Sequence, residues 1–66
     1  MGQKIIYEAL TALNSNASVS EIKAWLLVNY PGSAYPDYVS TSLGRLVKWG
    51  TVTKGLDRRW RITGAL

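Results

Sequence analysis

The chain has neither cysteine nor histidine, and only two prolines and four acidic residues among its 66 positions. Without cysteine no disulfide can staple the fold, and without either residue type the usual zinc ligands are missing. Serines are frequent, but no base visible in the sequence stands ready to activate one as a nucleophile. The acids, Glu8, Glu21, Asp37 and Asp57, stand singly, so no pair of carboxylates is close in sequence. There is no glycine-rich phosphate loop either. No catalytic residue, no cofactor and no metal centre is expected. The longest run of large apolar side chains is Trp25 to Val28, far short of the roughly 20 residues that cross a bilayer. It is also too short for the core of a signal peptide. The expectation is an intracellular protein, of the cytoplasm and nucleoid or of a eukaryotic nucleus, with no membrane partner. The lack of cysteine fits a reducing compartment.

What is present is enough for one small domain over residues 1–66. A chain of this length buries about 60% of its unfolded surface, and apolar packing alone must hold it, to the extent of about 3–5 kcal/mol. The 47% hydrophobic content, with three tryptophans and four tyrosines, excludes a disordered chain. The net charge of +4 is unevenly spread. In residues 1–33 Lys4 and Lys23 cancel Glu8 and Glu21. In residues 34–66 Arg45, Lys48, Lys54, Arg58, Arg59 and Arg61 face only Asp37 and Asp57. An excess confined to one half points to a polyanionic partner.

In "KIIYEALTALNSN", Ile6, Ala9, Leu10 and Leu13 recur at helical spacing. Asn14, Ser15 and Asn16 then favour a turn. "SVSE" has the pattern of a capping box, in which Ser18 and Glu21 satisfy each other's exposed amides. It opens a second helix with Ile22, Trp25, Leu26 and Val28 inward. Pro31 and Gly32 close that helix. Pro36 suits the first position of a third helix, "PDYVSTSLGRLVKW", and Asp37 suits its positive end. Val39, Leu43, Leu46 and Val47 form its inner stripe. Tyr38, Thr41, Arg45 and Lys48 form the outer face, with Asp37 and Gly44 at its edge.

After Gly50 come two β-prone segments, "TVTK" and "RRWRIT", joined around Gly55, Leu56 and Asp57. Trp60 and Ile62 share one face of the second segment, and Arg59, Arg61 and Thr63 the other. Lys54 counts with the outward set. Arg58 is ambiguous, because strict alternation puts it on the Trp60 side. Trp25 and Trp60 are read as core, while Trp49 can either pack on the hairpin or border the outer face. Three helices followed by a hairpin give an α+β fold, a small winged helix-turn-helix. A short extra strand near Ala17 to Val19 would complete its sheet. The rival, a three-helix bundle with a loose tail, leaves Trp60 and Ile62 nowhere to be buried.

The third helix has the make-up of a recognition helix, with short polar, aromatic and basic side chains opposite an apolar stripe. Arg45, Lys48, Arg58, Arg59 and Arg61 would neutralise phosphates of duplex DNA, with Lys54 assisting. Tyr38, Thr41 and Ser42 would reach base edges. Gly44, exposed on a helix, invites either close approach of a partner or tight packing on the hairpin. The alternative is a protein-interaction module anchored by Tyr35, Tyr38 and Trp49; a homodimer is open as well, with no interface marked for it in the sequence. RNA is less suited, since no aromatic platform is evident.

"SVSEIKAWLLVNY" and "LGRLVKWGTV" resemble the second and third helices of the globular domain of linker histones. The matched positions are Ser18, Ile22, Lys23, Trp25, Leu26 and Tyr30, then the leucine, basic, Leu-Val and glycine positions from Leu43 to Gly50. Ile6, Leu10 and Leu13 extend the likeness across residues 5–62. The resemblance implies a winged helix that binds duplex DNA without sequence specificity, through its third helix and wing and a second basic surface. Arg45 and Lys23 match basic positions of that family. Gly44 and Trp49 stand where it has lysines, and the wing is shorter, so generic DNA binding carries over and nucleosome binding does not.

Overall fold

The computed structural model describes residues 2–66. Helix α1 spans Gln3–Ala12, α2 Val19–Asn29 and α3 Val39–Lys48, and an antiparallel hairpin of β1, Val52–Lys54, and β2, Trp60–Ile62, follows. This is the layout of a small winged helix-turn-helix.

Each helix ends where local chemistry stops it. Beyond α1, the Asn14 N–H donates to the Thr11 carbonyl (3.2 Å) and the Ser15 N–H to the Leu10 carbonyl (2.7 Å). This is a Schellman closure, in which asparagine can replace glycine at the left-handed position. Asn14 and Ser15 have φ of 63° and 58°. Ser15 uses that conformation to accept a 2.9 Å hydrogen bond on its Oγ from the Ile62 N–H, which ties the end of α1 to β2. The expected capping box starts α2: the Glu21 N–H donates to Ser18 Oγ (3.2 Å) and the Ser18 N–H to Glu21 Oε1 (3.0 Å). Gly50, at φ 77°, closes α3 in the same manner as α1.

Three expectations are corrected in the helices. The third helix does not begin at Pro36. Tyr35–Tyr38 form a separate 3₁₀ turn, and α3 starts at Val39. The tighter turn sets the Tyr35 ring edge-on to Tyr30, with centroids 5.5 Å apart, and Tyr30 in turn packs on Trp25 at 5.9 Å. The buried stripe of α3 is Val39, Ser42, Leu43 and Leu46, while Val47 is 42% exposed. That is the i, i+3, i+4, i+7 pattern, with Ser42 taking the place expected for Val47. Room for Ser42 comes from Gly2 at the start of α1, where a Cβ would meet Ser42 Oγ at 3.0 Å. On α2, Ile22 and Leu26 are buried, but Val28 is 78% exposed and Trp25 only half-buried.

The core gathers Ile6, Ala9 and Leu10 of α1, Ile22 and Leu26 of α2, Val39, Leu43 and Leu46 of α3, and Ala17 and Val52. Trp60 and Ile62 pack against it half-buried. The register pairs Val52 with Ile62, Thr53 with Arg61 and Lys54 with Trp60. β2 is the middle of the sheet, because Trp60 exchanges both backbone hydrogen bonds with Ala17 (2.7 and 3.1 Å). The extra strand expected over residues 17–19 is thus a single bridged residue. Val19 already belongs to α2, whose capping box redirects the chain within two residues of the bridge.

Candidate nucleic-acid interface

The outer face of α3 carries Thr41, Arg45 and Lys48, all exposed, and Tyr38 stands exposed just before its first turn. Arg45 and Lys48 occupy the last turn of α3, where the negative end of the helix dipole favours a cation. Neither forms an ion pair with any described residue. Gly44 also faces out, and a Cβ there would meet nothing within 4 Å. Packing on the hairpin therefore does not explain this glycine. Ser42 departs from expectation: it is 3% exposed and turned towards α1 rather than along the outer face. Tyr38, Thr41, Ser42 and Arg45 nevertheless line one open cleft of about 750 Å³ beside Gly2.

The four wing cations divide into two kinds. Arg61 is paired with Asp57 at 2.7 Å across the turn. Its hydrogen bonds hold the Asp57 carboxyl below the usual carboxylate range, and the Arg61 guanidinium is held correspondingly higher. Arg59 turns back to the body of the protein, to Glu21 (2.7 Å) and to the side-chain and backbone oxygens of Asn16 (2.7 and 3.1 Å). The Glu21 carboxyl is likewise lowered, first by the Ser18 amide and then by Arg59. Arg59 and Arg61 are therefore not the free outward cations that alternation implies.

Lys54 is exposed, but its cross-strand partner is Trp60, so it shares the inner face rather than the outer one. Its ammonium lies 5.5 Å from the Trp60 ring centroid. Arg58 alone reaches solvent without a partner among the described residues. The Arg58 N–H donates to the Gly55 carbonyl (3.1 Å) and the Gly55 N–H to the Arg59 carbonyl (2.8 Å). This is a three-residue hairpin loop ending in a left-handed residue, and Arg58 at φ 63° is that residue. The loop takes it off both faces of the strand, which resolves its ambiguity.

Compared with protein-family models, curated proteins and solved structures, the chain finds no match in any of the three. What this surface does has to follow from its own geometry.

Three supporting residues escape sequence inspection. Asn16 and Glu21 both hold Arg59, and Ser15 holds Ile62. Glu21 is visible as a cap, but nothing local marks its second partner. Asn16 and Arg59 are 43 positions apart. Among the described residues, Arg45 and Lys48 on α3 and Arg58 and Lys54 on the wing are outside any ion pair, Lys54 lying over Trp60. Of the carboxylates, Glu21 and Asp57 are engaged with arginines, and Glu8 accepts from the Tyr30 hydroxyl at 2.8 Å. Asp37 stays exposed at the N-terminal side of the outer face of α3 and forms no ion pair with any described residue.

Proposed function

We propose that the protein binds duplex DNA, with α3 laid against a groove and the wing tip against the backbone. The observation that carries this is the set of exposed cations, Arg45, Lys48, Lys54 and Arg58, left without ion pairs among the described residues while two nearby carboxylates are occupied by Arg59 and Arg61. Free guanidinium and ammonium groups can displace the counterions that DNA condenses, whereas cations already paired contribute less. Tyr38 and Thr41 are the side chains suited to base edges, and Gly44 leaves room for close backbone approach. Arg59 acts in the wing's attachment.

Titration with duplex DNA of random sequence at 50 and 200 mM salt tests this proposal. Four neutralised phosphates correspond to a log–log slope of about −3.6, and Arg45→Ala should weaken binding across all sequences. Affinity indifferent to salt would refute it.

A protein partner, or a second copy of the chain, is the other reading that a specific feature favours. Leu27 and Val28 are largely exposed on α2, on the helix face turned from the core. The aromatic anchor of Tyr35, Tyr38 and Trp49 has less support, since Tyr35 is half-buried against Tyr30. DNA affinity unaltered by Arg45→Ala, together with concentration-dependent sedimentation lost in Leu27→Ser, would favour this reading.

A further inference from the structure

The cleft beside the first turns of α3 has the walls of a ligand site. Its volume of about 750 Å³ falls in the range of roughly 300–1,000 Å³ typical of small-molecule pockets, whose apolar and aromatic walls carry a few placed polar groups. Tyr35, Tyr38, Thr41 and Arg45 supply both kinds here. The 3₁₀ turn brings the two tyrosines to one side, since side chains three apart eclipse each other in that geometry. Tyr35 is set edge-on to Tyr30, whereas Tyr38, 56% exposed, keeps ring surface open to solvent. Thr41 and Arg45 follow one helical turn apart on α3, and both are exposed. Arg45 forms no ion pair with any described residue. No carboxylate among the described residues lines the cleft, and Asp37, although next to Tyr38 in sequence, is off its walls.

We propose that this cleft takes up a single unpaired nucleotide, its base laid on the Tyr38 ring, its edge at the Thr41 hydroxyl and its phosphate on Arg45. Every base has a π face that stacks on an aromatic ring whatever the sequence. A guanidinium meets phosphate through paired, charge-assisted hydrogen bonds. In an intact duplex neighbouring bases cover those faces, and only base edges reach a groove. Stacking on Tyr38 therefore requires a base outside the stack, and extrusion costs least where the base is already unpaired. The inference deepens the DNA proposal above and rests on it for the source of the nucleotide, an unpaired base within a duplex. A free nucleotide would satisfy the same three groups. In the DNA case the cations supply a grip indifferent to sequence, and the cleft adds a preference for duplexes with a base out of place.

The test compares a fully paired duplex with one of the same sequence carrying a single extrahelical adenine, each titrated with the full chain at one salt concentration. Adenosine monophosphate is titrated separately, and backbone amide shifts are followed by NMR. The bulged duplex should bind tighter by about fivefold or more, the scale of one base stacked on an aromatic side chain. Tyr38→Leu should bring the ratio of the two affinities close to one, and Tyr38→Phe should keep it. Tyr38 is exposed, and the amide spectrum reports that both variants retain the fold. If the two duplexes bind alike while adenosine monophosphate shifts the amides of Tyr38, Thr41 and Arg45 saturably, the cleft stands with a free nucleotide as its ligand. If the nucleotide binds there and neither duplex binds, the cleft stands and the proposed function falls. Duplexes that bind alike, with no binding of the nucleotide, overturn the cleft and leave the proposed function intact. A preference for the bulge that survives Tyr38→Leu overturns the cleft as well.

Discussion

Arg58 occupies a backbone conformation that glycine adopts without strain. A left-handed φ costs a side-chain-bearing residue about 1–2 kcal/mol, and the Arg58 guanidinium forms no ion pair or hydrogen bond with any described residue to offset it. Arg58→Gly is therefore expected to raise stability by about 1 kcal/mol in thermal unfolding. On the proposed function the same change lowers duplex affinity and reduces the salt slope by about 0.9, the share of one phosphate. A variant that gains stability and keeps its affinity would remove Arg58 from the interface. Leu43 and Val47 make a second pair at this scale. Hydropathy treats them alike, but Leu43 is fully buried and Val47 is 42% exposed. Leu43→Ala should cost about 2–5 kcal/mol, comparable to the whole stability of about 3–5 kcal/mol expected of such a core. Circular dichroism at 25 °C should find it largely unfolded, with Val47→Ala within about 0.5 kcal/mol of the parent. The exchange of Ser42 for Val47 in the buried stripe was not legible. It depends on Gly2, forty positions earlier, leaving space that no periodicity reports.

At the level of elements, Glu21 joins two parts of the fold, capping α2 and holding Arg59 of the wing. Glutamine also completes a capping box, so Glu21→Gln separates the two roles. The Glu21 and Asp57 carboxyls are both held below the usual carboxylate range in the folded state. A lowered folded value means stability fully present above the unfolded value, near pH 4, and lost as pH falls through the folded one. The melting temperature should accordingly drop between about pH 5 and pH 3. The drop should be shallower in Glu21→Gln combined with Asp57→Asn, and an equally steep fall in that double variant would contradict the assignment. Helix boundaries that depend on local chemistry were legible, as Ser18 with Glu21 and Gly50 attest. The 3₁₀ turn at Tyr35–Tyr38 and the shrinkage of the extra strand to Ala17 were not, because aromatic packing on Tyr30 and a partner at Trp60 decide them. The pairing of the wing arginines was hidden for the same reason. Alternation correctly put Arg59 and Arg61 on one face, but a face does not say which cations meet a carboxylate.

For the whole molecule, three helices and a hairpin were readable because each segment's hydrophobic period agrees with its packing. The charge asymmetry between the halves was readable too, but it overstated the exposed positive charge, since two of the six cations in the second half are paired. No helix among the described residues is long and apolar enough to cross a membrane. The middle position of β2 has a further consequence, for the order of assembly. The helices and their turns form from neighbours in sequence. Seating β2 beside Ala17, with Arg59 on Asn16 across 43 positions, must first close a long loop against its entropy. The hairpin is then the last part to dock and the first to leave. Amide exchange of Trp60 and Ile62 should outpace that of Leu43 and Leu46, so the part of the protein proposed to grip would also be its most easily released.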